Sequence, residues 1–348
     1  MGTAQSVGCR NPDADVKAGG EDLISALPDD MLVHILLKLG DAAAAARTSV
    51  LARRWRSIWA LLPQLTFADG IEHHRIVPAV AAHQVDIPGL RVATRHASVE
   101  YLAVWLPIVA RRLTGSMLLR VVWREDDADD IDDAELEPEQ RGAILLPCFQ
   151  RATTVTLEFS FLRLVLPPSG VFARLKVLEL VGIHLYGQCS LGDALSSTRC
   201  PSLQVLSVTN ARGLGYFAIH SKSLLELHLS KLPDMQQLIV GAPSLQMLGI
   251  IDCFTDGLNP SQPVANISAP RLELLWWTCD FVPSSLQLGE MAHLRCLVTG
   301  NFFVHGPISF ALQNRCCMSI LQHFERLSVL TLYIIYPPVR SSLFFVMA

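Results

Sequence analysis

Eleven histidines and nine cysteines are the side chains of this sequence best suited to chemistry. Their spacing argues against it. His73 and His74 are adjacent, as are Cys316 and Cys317, and adjacent residues cannot easily share one tetrahedral metal ion. No CxxC pair occurs among Cys9, Cys148, Cys189, Cys200, Cys253, Cys279, Cys296, Cys316 and Cys317. There is no G-x-S-x-G elbow, no H-E-x-x-H and no glycine-rich phosphate loop. "GLGYFA" at 213–218 lacks the third glycine of a dinucleotide loop. Cys148 has a thiol but no recognisable base beside it. "REDDADDIDDAELEPEQ", residues 124–140, offers carboxylates without the ordered spacing and glycine of a calcium loop. Its like charges repel, which predicts a mobile surface loop. The expectation is a chain with no catalytic residue, no metal and no cofactor.

A different chemistry is suggested by "ARTSVLARRWRSIWALLP", residues 46–63, with four arginines and two tryptophans. On a helical wheel Leu51, Trp55, Ile58, Trp59 and Leu62 share one side. Arg53 and Arg56 face the other way, and Pro63 ends the pattern at Leu62. The stretch reads as an amphipathic helix with an aromatic face. Nucleic-acid binding needs a basic patch and a reading element, whereas the whole chain carries a net charge of −4. Upstream, "LPDDMLVHILLKLG", residues 27–40, reads as a second amphipathic helix. Pro28 suits its first position, Asp29 and Asp30 favour its N-terminal dipole, and Lys38 and Gly40 suit its end. Met31, Leu32, Ile35, Leu36 and Leu39 give it one apolar face. Asp41 can cap a further helical segment that begins at the alanine run 42–46. A module of about 40 residues is uncomfortable alone and calls for a surface to cover those faces.

The stretch "LISALPDDMLVHILLKLGDAAAAARTSVLARRWRSIWALLPQLTF" resembles the F-box of plant F-box proteins. The Leu-Pro opening, the Ile-Leu-x-x-Leu helix and the Arg-Trp-Arg-x-x-Trp helix stand in the family's order. The resemblance implies docking to a Skp-type adaptor, which connects to a cullin–RING ubiquitin ligase. It implies that Leu27, Pro28, Ile35, Leu36, Leu39, Val50, Leu51 and Trp55 carry adaptor contacts or the module's own core. Gly40 departs from the family, which more often has proline before the aspartate; the expected consequence is a different turn, not a different docking face.

Beyond residue 65 the elements change. Residues 99–113 read as mostly helical with Pro107 interrupting, and 117–123 as a strand. A unit of the form L-x-x-L-x-L then recurs, starting at Ala152, Leu175, Leu203, Leu224, Leu245, Leu272, Leu294 and Leu327. Its intervals are 23, 28, 21, 21, 27, 22 and 33 residues, and all but the last fit the period of leucine-rich repeats. Each unit supplies a strand too apolar to stand exposed, so neighbours must stack. This accounts for 51% apolar residues against 17% charged, a balance that excludes a disordered chain. The repeat's usual Asn or Cys is matched clearly only by Cys253, so the outer connections are expected to be loops as well as helices. "LPCFQRATTVTLEFSFLRLVLPPSGVFARLKVLEL", residues 146–180, also resembles grass-type F-box/leucine-rich-repeat proteins.

The resulting expectation is an α/β chain: a helical F-box followed by an irregular leucine-rich-repeat solenoid of parallel strands. Its parts are a disordered leader 1–21, the F-box 22–67, a connecting and first-repeat region 68–149, repeats 150–333 and a tail 334–348. With the L-x-L leucines inward, Glu179, Glu226, His228, Trp276 and Thr278, with Glu158 and Tyr333, face a partner. Trp276 is the strongest substrate contact, pointing out while Trp277 points in. The expected function is substrate recognition in a Skp–cullin–F-box ligase, with a non-catalytic scaffold as the alternative. The expected partners are the adaptor and an unknown protein target, without nucleic acid or membrane span. Expected localisation is nuclear and/or cytoplasmic, since no secretory signal is evident and the cysteines read as reduced thiols. Met1–Ser6 fits a loose myristoylation pattern at Gly2, and the apolar ending "SSLFFVMA" suggests a swapped or truncated terminus.

Overall fold

A computed structural model describes residues 24, 26–51, 53–67, 75–83, 86–95, 99–122, 142–254, 264–279, 286–304, 311–324 and 327–335. The leader with its acylation pattern, the acidic run and residues 336–348 lie outside the described residues.

The N-terminal part is helical. Helix α1, Asp29–Lys38, begins after Pro28, which serves as its extended N-cap. Leu39 closes it, and Gly40 comes next at φ +69°. Proline's ring fixes φ near −65°, so this corner is one that proline cannot make. Helix α2, Ala42–Arg47, is capped by Asp41, whose carboxylate accepts from Ala43 N at 3.2 Å and Ala44 N at 3.0 Å. The single helix expected over 46–62 is not formed. The chain tightens into a 3₁₀ turn at Thr48–Val50, resumes as α3, Trp55–Ile58, and ends in another 3₁₀ turn at Trp59–Leu61. The Thr48 hydroxyl donates to Ala45 O at 2.6 Å at the break.

The strand ladder begins inside the segment expected to be F-box. Strand β1, Gln64–Phe67, pairs in parallel with β2, Ile87–Arg95, and β2 with β3, Leu113–Val122. Between these strands run α4, Ile76–Ala82, and α5, Val99–Arg112. Pro107 does not interrupt α5. Pro107 and Ala103, one turn earlier, are exposed, so water can serve the carbonyl that proline leaves without a donor. The buried face of Leu102, Trp105, Leu106 and Val109 holds the helix in place.

The ladder continues through β4, Ala143–Leu145, which pairs with β5, Thr154–Val165; then β6, Val177–Tyr186, helix α6, Leu191–Ala194, and β7, Val205–Thr209. From there strands alternate between two parallel sheets. β9 (Glu226–Ser230), β11 (Met247–Ile251), β13 (Leu274–Thr278) and β15 (Cys296–Phe303) extend the ladder. β8 (Tyr216–His220), β10 (Gln237–Gly241), β12 (Val264–Ser268) and β14 (Leu286–Leu288) form the second sheet. Helix α7, Ala311–His323, then leads to β16, Val329–Ile335, the last ladder strand among the described residues.

All eight expected repeat units supply a ladder strand. Leu65, Leu90, Met117, Val155, Leu178, Leu206, Leu227, Leu248, Leu275 and Leu297 stand side by side in one inward row, and every one is buried. The outer connections of the central coils are strands instead of the expected helices or loops. Phe217 with Ile219, Leu238 with Val240, and Ala265 with Ile267 bury the second sheet's inner face against the ladder. The turn out of three central ladder strands, β7, β9 and β11, also repeats. Asn210, Lys231 and Asp252 adopt φ between 51° and 53° at equivalent places. The repeat position usually held by Asn is filled by buried Ala211, Leu232 and Cys253, so these turns are anchored largely by apolar burial. One continuous core runs from Leu32 to Ile320, joining the N-terminal helices and the repeats.

Candidate docking surfaces

The helical end sorts the eight expected adaptor residues into two groups. Leu36 and Trp55 are core, packed with Leu32, Ile58 and Leu62. Leu27 is half-buried against that core, and Pro28 is exposed. Ile35, Leu39, Val50 and Leu51 are exposed apolar side chains. Val50 is 86% exposed and Leu51 72%, extreme values for residues of their kind. Leu51 escapes the aromatic face assigned by the wheel because the helix breaks between it and Trp55. Exposed Ile24, Met31, Leu37 and Leu61 add apolar surface outside the eight expected contacts. The i, i+4 spacing of Met31 and Ile35 is the signal that could have added Met31. The Arg54 guanidinium reaches the Asp29 carboxylate, Nε donating to Oδ1 at 2.8 Å, and so fixes the start of α3 beside the start of α1.

The ladder presents a second surface. Glu179 on β6, Ser207 on β7, His228 on β9, Gly249 on β11 and Trp276 on β13 share one outward row. Glu226 and Thr278 belong to the rows on either side. The structure therefore places Glu179, Glu226, His228, Trp276 and Thr278 on one sheet face, as expected, with Glu158 on the same face upstream. Trp276 is 38% exposed and Trp277 1% exposed. The Trp277 indole donates from Nε1 to Cys279 O at 3.2 Å and stacks on Phe254 at 6.2 Å between ring centroids. His228 Nε2 lies 3.5 Å from Glu226 Oε2. Glu179 accepts from the Thr156 hydroxyl at 3.0 Å, and Glu158 pairs with Arg120. Thr278 differs from the others: its hydroxyl oxygen is buried and has no hydrogen-bond partner among the described residues. Tyr333 is exposed on the terminal strand β16, away from the central group.

The thiols fall in two small groups, Cys253 beside Cys279, with the Cys253 amide donating to Cys279 Sγ at 3.2 Å, and Cys148, Cys189 and Cys200 around Arg199. Among the described residues no group of three or more His, Cys, Asp or Glu could hold a metal ion. Cys200, Cys253, Cys279 and Cys317 are free thiols buried in the core, and Cys148, Cys189 and Cys296 are free and half-buried. Burial pushes the Cys148 thiol up, against the opposing pull of Arg199, and its Sγ donates to Ser169 O at 3.3 Å. Burial pushes Cys200 up to about 12. Neither is poised as a thiolate nucleophile. His73 and His74 lie outside the described residues. Among the described residues no helix is long and apolar enough to cross a membrane.

Known proteins sharpen this picture. A family model described as "FBD-associated F-box protein At5g56370, LRR repeats" matches residues 134–305. An Arabidopsis thaliana protein named for F-box, FBD and LRR-repeat segments, At4g03220, is 26% identical over 303 residues, which is 84% of this chain and 59% of the relative. The F-box/FBD/LRR-repeat protein At2g04230 of the same plant is 28% identical over 274 residues, 68% of this chain and 56% of its own length. The chain thus spans somewhat more than half the length of these relatives. No solved structure matches.

Proposed function

Starting from a chain that belongs with the plant F-box/leucine-rich-repeat proteins, we propose that it is the substrate-recognition subunit of a Skp–cullin–F-box ubiquitin ligase. The observation that carries this reading is the apolar surface left open on the helical end, above all at Val50 and Leu51. Exposed large apolar residues beside a well-packed core are what a protein interface leaves behind when its partner is absent. Leu36 and Trp55 then support the docking face from beneath, while Ile35, Leu39, Val50 and Leu51 make the contact. The repeats hold the target at the other surface. The chain supplies proximity, raising the effective concentration of target lysines near the charged ubiquitin carrier, and no catalytic residue of its own.

The test is capture of a purified Skp-type adaptor by the full chain. Changing Val50 and Leu51 together to Asp should cut capture at least about tenfold, because charge would enter an apolar interface, while the thermal midpoint stays unchanged. Failure of the unaltered chain to capture the adaptor, or undiminished capture by the double variant, would overturn the docking reading. Reconstituted ubiquitin transfer then separates a receptor from a scaffold that only docks.

A further inference from the structure

The central outward face carries a definite chemistry. At positions 177–181, 205–209, 226–230, 247–251 and 274–278 no outward residue is a lysine or arginine. Two carboxylates, Glu179 and Glu226, stand there, and neither forms an ion pair with a lysine or arginine among the described residues. Upstream the situation is reversed: Arg120 is engaged with Glu158, and the Arg163 guanidinium lies over the Tyr186 ring at 4.6 Å. The ladder pairs Arg120 with Glu158 upstream, while Glu179 on β6 has only the Thr156 hydroxyl and Glu226 on β9 only the His228 imidazole beside it.

Beside that open charge the surface is low and flat. Gly249 lies between His228 and Trp276 in the row, and a Cβ there would come within 3.1 Å of His228 Nδ1. The imidazole therefore lies over the glycine. Adjacent strands are about 4.8 Å apart, so Glu226 on β9 and Trp276 on β13 flank a floor roughly 10 Å wide. Met247, half-buried on β11, borders the same floor.

We infer that this floor receives an arginine or lysine from an extended segment of the target protein. Charge complementarity selects the class. A cationic head can meet the Glu226 carboxylate through a charge-assisted hydrogen bond and lie against the exposed Trp276 indole. Its aliphatic stem covers Met247 and the imidazole, as long cationic side chains cover apolar surface elsewhere. Acidic segments and phosphate-bearing partners meet only like charge at Glu179 and Glu226. This inference rests on the reading that the repeats hold a target, and it names that target's chemistry.

The experiment uses the full chain bound to its adaptor and fluorescein-labelled seven-residue peptides. These share Leu, Thr and Val flanks and differ only in a central arginine, lysine, glutamine or glutamate. Fluorescence anisotropy should rank arginine and lysine above glutamine, and glutamate last, with about tenfold or more between arginine and glutamate. Glu226→Gln and Trp276→Ala should each weaken the arginine peptide by about three- to tenfold with unchanged circular dichroism. Equal affinity for the arginine and glutamate peptides, or no binding of the arginine peptide at millimolar concentration, would overturn the inference. So would indifference of binding to both substitutions, or self-association through this face that Trp276→Ala abolishes. If the unaltered chain fails to capture the adaptor, the peptides are tested on the chain alone. A surviving arginine preference would then keep the inference while the ligase reading fell.

Discussion

Trp276 and Trp277 show how little separates an exposed from a core residue in this fold. One residue along a strand reverses the direction of the side chain. Trp277 enters the core, satisfies its indole N–H on Cys279 O and stacks on Phe254. Trp276 stands on the outward face. Replacing Trp277 by alanine should cost about 3–5 kcal/mol, since a large buried ring leaves a cavity that neighbours only partly fill. Replacing Trp276 should cost less than about 1 kcal/mol, as is usual for exposed positions. Urea unfolding of the two variants checks this directly, and similar losses for both would mean that the register of β13 is wrong. The same residue-scale contrast separates Leu36 from Val50: the family resemblance groups them as docking positions, while Leu36 is buried in the core and Val50 stands exposed.

Among the elements, the strands of the ladder were legible because their pattern has period two and is locked by stacking. Each expected L-x-x-L-x-L unit delivers two inward residues at neighbouring registers. The second sheet was equally written in the sequence, as Phe217-x-Ile219 and Leu238-x-Val240, but five-residue strands between richer repeats give a weaker signal. The tryptophan-rich segment misled for a different reason. A helical wheel assumes uniform geometry, and the 3₁₀ turn at Thr48–Val50 rotates Leu51 away from Trp55. Long pairings also need local exceptions. Gly182 sits at φ +62° where the β5–β6 register shifts, and a Cβ there would lie 1.8 Å from the Phe159 carbonyl oxygen. Gly182→Ala must therefore move backbone, and a loss of about 3 kcal/mol or more is expected in thermal or chemical unfolding. A loss within about 0.5 kcal/mol, the range of ordinary surface changes, would show that the shift in register is not fixed there.

For the whole molecule, the continuity of the core sets the order in which it loosens. The N-terminal helices and the repeats share one apolar cluster, with α2 packing on the first strand of the ladder, so the helical end is not a separate folding unit. The two ends of the ladder are unequal. Leu65 at the β1 end is fully buried, whereas Leu330, its counterpart on β16, is 49% exposed. A repeat protein owes each coil's stability to its neighbours, so the less covered end opens first. Hydrogen–deuterium exchange of the full chain should therefore show β15 and β16 exchanging fastest among the ladder strands, β9 and β11 slowest, and β1 and β2 closer to the centre than to the exposed end. Binding of the adaptor should slow exchange in α1 and the Thr48–Val50 turn while leaving β9–β13 unchanged, because the two surfaces lie on different parts of the same continuous core. Exchange that begins at β1, with α1–α3 released as a unit before β16, would contradict a shared core.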